Sequence, residues 1–176
     1  MEAREFETND PVASFTATWK RVILEPNAFF GDLPPASGLQ PALAFAMICF
    51  AIGGLELLVF GHGFHGLVGI LLIGLVRLFV GSAVLTLIAQ NLFEGRGDYE
   101  ATFRVLGYSS AVAVGIGLPV VKYFAFLYGA YLAIIGLGKA HGFDNLRALA
   151  SVAVAAVVGF VVVHALGLGC VMRRYW

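Results

Sequence analysis

Residues 66–93 read "GLVGILLIGLVRLFVGSAVLTLIAQNLF", and Arg77 is the only charged residue among them. No other feature constrains the chain as strongly. A membrane-spanning helix needs about 20 predominantly apolar residues, and this run is long enough to tilt or to project beyond the bilayer. Further apolar segments at 39–60, 104–119, 121–138 and 146–170 obey the same logic. The chain is 60% hydrophobic and 12% charged over 176 residues, against about 25% charged in an ordinary soluble domain. A water-soluble fold of this size cannot hide that much apolar surface. The expected fold is therefore an all-α membrane protein, a bundle of five transmembrane helices. Its third and fourth members are short and meet at Pro119, which breaks a helix, so they form either a tight spanning hairpin or a re-entrant one.

The chain divides into three regions: 1–38 as an N-terminal segment, 39–172 as the membrane domain and 173–176 as a short tail. "MEAREFETNDPVASF" lacks a basic start followed by an apolar core, so the first span is expected to act as an uncleaved anchor. Residues 10–25 read as an amphipathic helix, capped by Asp10 with Pro11 in its first turn. Val12, Phe15, Trp19 and Val22 fall on one face, with Ser14, Thr16, Thr18, Lys20 and Arg21 largely elsewhere. Its Trp and basic residues suit the membrane–water interface, and Pro26 ends it. Phe29 and Phe30 in the adjoining "NAFFGDLPPASG" are expected to dip into headgroups.

With the N-terminus inside, the inner segments hold Arg4, Lys20, Arg21, Arg96, Arg104, Lys139 and Arg147, and the outer ones Lys122, Arg173 and Arg174. That asymmetry favours a cytoplasmic N-terminus and an outer C-terminus.

The most polar interruption of the apolar chain is "GDYEATFRVLGYSSA" at 97–111. Gly95 and Gly97 are expected to stop the long second span, and Asp98 to cap the next helix. Tyr99, Phe103 and Tyr108 are placed near the interface. Gly107, Ser109, Ser110 and Ala111 offer a small-residue patch for close helix approach.

This run, together with "GLP" at 117–119 and "GAYLAIIGLGKAHG" at 129–142, resembles the Yip1-domain (YIP1 family) integral membrane proteins. Upstream, "WKRVILEPNAFF" ahead of "QPALAF" is similar to the prokaryotic short forms. The matching positions are Trp19, Pro26, Phe30, Gly97, Thr102, Phe103, Tyr108, Pro119, Gly136 and His141. The resemblance implies a five-helix membrane protein with a cytoplasmic N-terminus. Its eukaryotic relatives work in the early secretory pathway, associating with Rab GTPases and with one another, and many carry a much longer N-terminal region. A prokaryotic inner-membrane location is implied for this chain.

Glu56 and Arg77 both fall inside predicted spans, where an unpaired charge costs a few kcal/mol by insertion scales. Antiparallel helices place them roughly 6 Å and roughly 16 Å from the outer end at about 1.5 Å per residue. Either both face the bundle interior, paired or lining a polar cavity, or Glu56 snorkels outward while Arg77 bonds helix carbonyls or hydroxyls. Ser82, Thr86 and Gln90 form one stripe that serves as helix–helix glue or as a solute path. His62 and His65 share a short loop without a third ligand; His141 and His164 show no partner. Cys49 and Cys170 read as buried small hydrophobes rather than a disulfide. No metal or cofactor is expected.

Neither H-E-x-x-H nor a P-loop is present, and "GYSSA" lacks the closing glycine and strand of a nucleophile elbow. The sequence does not read as an enzyme, and its zero net charge offers no field for nucleic acid. The expected function is non-enzymatic: organising partner membrane proteins or local bilayer structure, with the bilayer and a protein partner or homo-oligomer as its company. The alternative is a small transporter or channel component using Glu56, Arg77 and the Ser82, Thr86, Gln90 stripe.

Overall fold

The start and stop signals in the sequence set most helix limits in the computed structural model, which describes residues 5–7, 10–34 and 37–165. Helix α1, Pro11–Leu24, begins where the Asp10 carboxylate accepts from the Ala13 amide at 3.3 Å. Pro26 both ends it and opens a second helix, α2, Pro26–Asp32. Next come α3, Gln40–Leu57, prolonged by a π-helical turn at Leu58–His62, and α4, Gly63–Phe93. After a turn, α5 spans Tyr99–Ser109 and tightens into a 3-10 turn at Ser110–Ala113. The last helices are α6, Val121–His141, and α7, Asn145–Ala165. No strand occurs among the described residues. The expected tail 173–176, Cys170, the side chains of His62 and His164, and the end of the fifth span lie outside the described residues.

Among the described residues, four helices are long and apolar enough to cross a membrane: Gln40–Phe60, Gly63–Phe93, Val121–His141 and Asn145–Val162. The expected third span, 104–119, takes a different form. Helix α5 starts five residues earlier and holds only 11 residues, about 16 Å at about 1.5 Å per residue, short of the roughly 30 Å hydrocarbon core. Residues 114–120 then continue as an irregular loop that reaches Glu56 near the end of α3. Gly115 explains the break, because its φ of +103° is open to glycine and closed to most residues.

α3 and α4 pack antiparallel, with Gly54 against Leu67 and Gly74 against the Phe50 ring. α5 runs up beside α3, where Gly107 lets it meet Ala42, and α6 runs down beside α5, where Gly136 meets Val105. α7 packs on α4 and α6. The core gathers around α5 and the aromatic residues Phe6, Phe29, Phe30, Phe45, Phe103 and Tyr108.

The N-terminal segment corrects the expectation most. Helix α1 buries Ser14, Thr18 and Val22, while Val12, assigned to the apolar face, is 78% exposed. The reason is its docking surface, since Phe15 packs against Phe45 at 5.3 Å between ring centroids and Trp19 Nε1 donates to the Ala111 carbonyl at 3.0 Å. Phe29 and Phe30 are buried in α2 rather than turned outward. The segment lies along the flank of the bundle, bonded through Gly38 to Glu100 and through Ile23 to Tyr128.

Candidate functional site

Helix α5 is the junction into which the polar stretch 97–111 folds, and its residues point in two directions. One face, Glu100, Arg104 and Tyr108 at i, i+4 and i+8, receives the N-terminal segment. Glu100 Oε1 accepts from the Ser37 amide at 3.1 Å and the Gly38 amide at 2.8 Å. Arg104 is 3% exposed, yet its guanidinium is satisfied: Nε donates to Glu5 Oε1 at 3.1 Å, Nη2 joins the same oxygen, and Nη1 donates to the Pro34 carbonyl. Tyr108 donates to Glu5 Oε1 at 3.2 Å and is closed in by Phe29 and Phe45 at 5.0 and 5.2 Å. Phe103 and Tyr108 are fully buried, so their side chains face protein rather than headgroups. The aromatic wall leaves no room for headgroups.

The other face meets α6. Thr102 Oγ1 donates to the Asp98 carbonyl at 3.0 Å, and the same oxygen lies 2.9 Å from His141 Nε2. With its own proton already directed to Asp98, the hydroxyl accepts from Nε2–H, so the His141 proton sits on Nε2. His141 is 1% exposed and stacks on Phe143 at 5.3 Å. It closes α6 as a buried residue bonded to Thr102, where the sequence showed no partner for it. Its Nδ1 has no partner among the described residues, and a Cβ at Gly95 would come within 2.6 Å of it. A Cβ at Gly97 would meet the Ala140 carbonyl at 2.7 Å. The structure therefore brings together Gly97, Thr102 and His141, three of the positions picked out by the resemblance. Phe103 packs on Phe79 at 5.0 Å, Gly136 admits Val105, and Pro119 sits exposed in the loop before α6. Trp19 and Pro26 belong to the docked N-terminal segment.

Glu56 and Arg77 do not meet. The Glu56 carboxylate accepts from the Gly115 amide at 3.0 Å and the Gly117 amide at 3.1 Å, pinning the loop that replaces the end of the third span. Gly117 packs directly on the Glu56 backbone and Cβ. Arg77 is exposed at the side of α4 and makes no ion pair or hydrogen bond with a described residue. The hydroxyl stripe is internal: Ser82 donates to the Leu78 carbonyl and Thr86 to the Ser82 carbonyl, both buried. Gln90 instead donates to the Gly97 carbonyl at 2.9 Å. These residues therefore line no shared passage.

The Glu5–Arg104–Tyr108 cluster, the Glu100 bonds and the Thr102–His141 bond are not anticipated by the sequence patterns. The helical spacing of Glu100, Arg104 and Tyr108 was the available signal, since it marks one polar face on a helix that the surrounding apolar spans would bury. The open surface is of the opposite kind. Leu72, Val76, Val80 and Leu87 of α4 and Leu149, Val157 and Phe160 of α7 are exposed. Ordinary monomers in water rarely leave so large an apolar surface uncovered.

An all-helical fold with several bilayer-length apolar helices and polar groups turned inward defines an integral, multi-pass membrane protein whose surroundings are lipid. Comparison with protein families matches the Yip1 domain over residues 20–166, and the chain belongs to that family. No curated protein and no solved structure matched it.

Proposed function

We propose that this Yip1-family protein acts by interaction, organising partner membrane proteins or local bilayer structure without chemistry of its own. It would do so in a prokaryotic cytoplasmic membrane with its N-terminus in the cytoplasm. The observation that carries the reading is the division of its polar and apolar groups. Glu56, Ser82, Thr86, Thr102 and Arg104 are all engaged in bonds that hold loops and helices together. The long flanks of α4 and α7 are left open and, Arg77 apart, largely apolar. A solute path would need those same polar groups to face a common channel, and they face different elements.

Photo-crosslinking in native membranes tests this. A crosslinking residue placed singly at Val76, Leu87, Leu149 or Val157 is expected to capture a defined protein from at least one position. Crosslinks to lipid alone from every position would contradict it.

A further inference from the structure

We propose that Arg77 is the docking point for a partner transmembrane helix carrying a carboxylate at the same depth. The proposal rests on the interaction reading above and supplies the chemistry of the partner. Three observations carry it. First, the depth: Gly74 packs on the ring of Phe50, the midpoint of the span Gln40–Phe60, and Arg77 lies less than one helical turn further along α4. Second, the orientation: Arg77 is exposed beside Ile73, Val76 and Val80, which offer no hydrogen-bonding side chain. Third, the charge balance: Glu56 is the sole carboxylate within the candidate spans, and it is held by the Gly115 and Gly117 amides.

A charged side chain at such depth is rare unless it pairs. A second copy docking by the same face about a two-fold axis would bring Arg77 toward Arg77, and like charges repel. A lipid phosphate lies in the headgroup layer, about 15 Å from the middle of the hydrocarbon core, beyond the reach of a side chain at mid-span. A carboxylate on a neighbouring helix fits, because guanidinium and carboxylate form parallel hydrogen bonds and the apolar residues around Arg77 suit the flanks of a spanning helix.

The test uses the full chain, fluorescently labelled and reconstituted in zwitterionic vesicles, with a single-span leucine-rich peptide as the probe. The peptide carries Glu, Gln or Leu at its centre, and association is read by energy transfer. The Glu peptide is expected to associate roughly tenfold more tightly than the Leu peptide, a difference of about one decade in Kd. Arg77→Leu should abolish that preference, and Arg77→Lys should retain part of it. Helical content by circular dichroism verifies that each variant is folded. Equal association of the Glu and Leu peptides, or a preference that survives Arg77→Leu, would overturn the proposal. So would a Gln peptide that matches Glu, since the pairing would then need no carboxylate. So would retention of an anionic lipid by the wild type and not by Arg77→Leu, in a parallel reconstitution doped with that lipid, in place of any peptide preference. Failure here with a protein still captured from other positions would leave the interaction reading standing. Peptide preference without any captured protein would do the reverse.

Discussion

Helices α4 and α5 are neighbours with opposite relations between sequence and burial. α4 holds 31 residues with Arg77 as its only charge, and much of its surface is open: Leu72, Val76, Val80, Leu87 and Leu92 are all exposed. α5 is short and polar, yet Thr102, Phe103, Arg104, Val105 and Tyr108 are buried. In water the hydrophobic effect would reverse that arrangement. In lipid an apolar side chain gains nothing by leaving the solvent, so polar groups with partners move inward and association rests on close packing and hydrogen bonds. On α4 apolarity therefore accompanies an open flank, and in α5 polarity surrounded by apolar spans marks a junction.

Substitutions in the two helices should separate this rule from ordinary core logic. The largest effect is expected at Arg104→Met, which leaves the largely enclosed Glu5 carboxylate without its guanidinium. Breaking a buried pair costs about 3–5 kcal/mol, read by reversible unfolding in mixed micelles. Adding Glu5→Leu should restore much of that loss, because the stranded charge is then gone. No recovery in the double variant would mean that the two side chains do not act as a pair.

A smaller loss is expected at Thr102→Val. It removes the acceptor of His141 Nε2–H in a buried site, at about 1–3 kcal/mol, whereas Thr102→Ser keeps the hydroxyl and should stay close to wild type. Equal stability of the Val and Ser variants would break the assignment. Smallest of all is Leu87→Ala on the open face of α4. It should change stability by no more than about 0.5 kcal/mol, as for substitutions away from buried features. A loss of several times that amount would show that α4 is covered in the isolated protein.

Much of the architecture was legible because bilayer length and helix capping are local. Hydropathy located α3, α4, α6 and α7, and Asp10 and Asp98 each cap the helix they precede, the latter with its carboxylate 2.9 Å from the Ala101 amide. The stop at Gly95 and Gly97 was readable too, and the packing there adds a reason: both press on the α6 terminus at His141. Less legible were features that depend on a distant partner. The burial of Ser14 and Thr18 in place of Val12 follows from where α1 docks, which its own periodicity does not encode. Phe29 and Phe30 lie in a helix of seven residues, too short for a periodic signal. Glu56 found backbone amides 59 and 61 residues away, which no spacing rule anticipates. A pairing of Arg77 with Glu56, one of the arrangements open from sequence, fails for the same reason: the loop after the 3-10 turn reaches the carboxylate first.

The central claim is that the polar stretch 97–111 is an interior junction and not an exposed turn. Amide hydrogen exchange of the protein in lipid nanodiscs, resolved by peptide, tests it most directly. Residues 99–109 are expected to exchange as slowly as the middle of α3, because their amides are bonded in a helix walled by α3, α4, α6 and the N-terminal segment. Exchange of 99–109 at the fast rate of an open connecting loop would contradict the account.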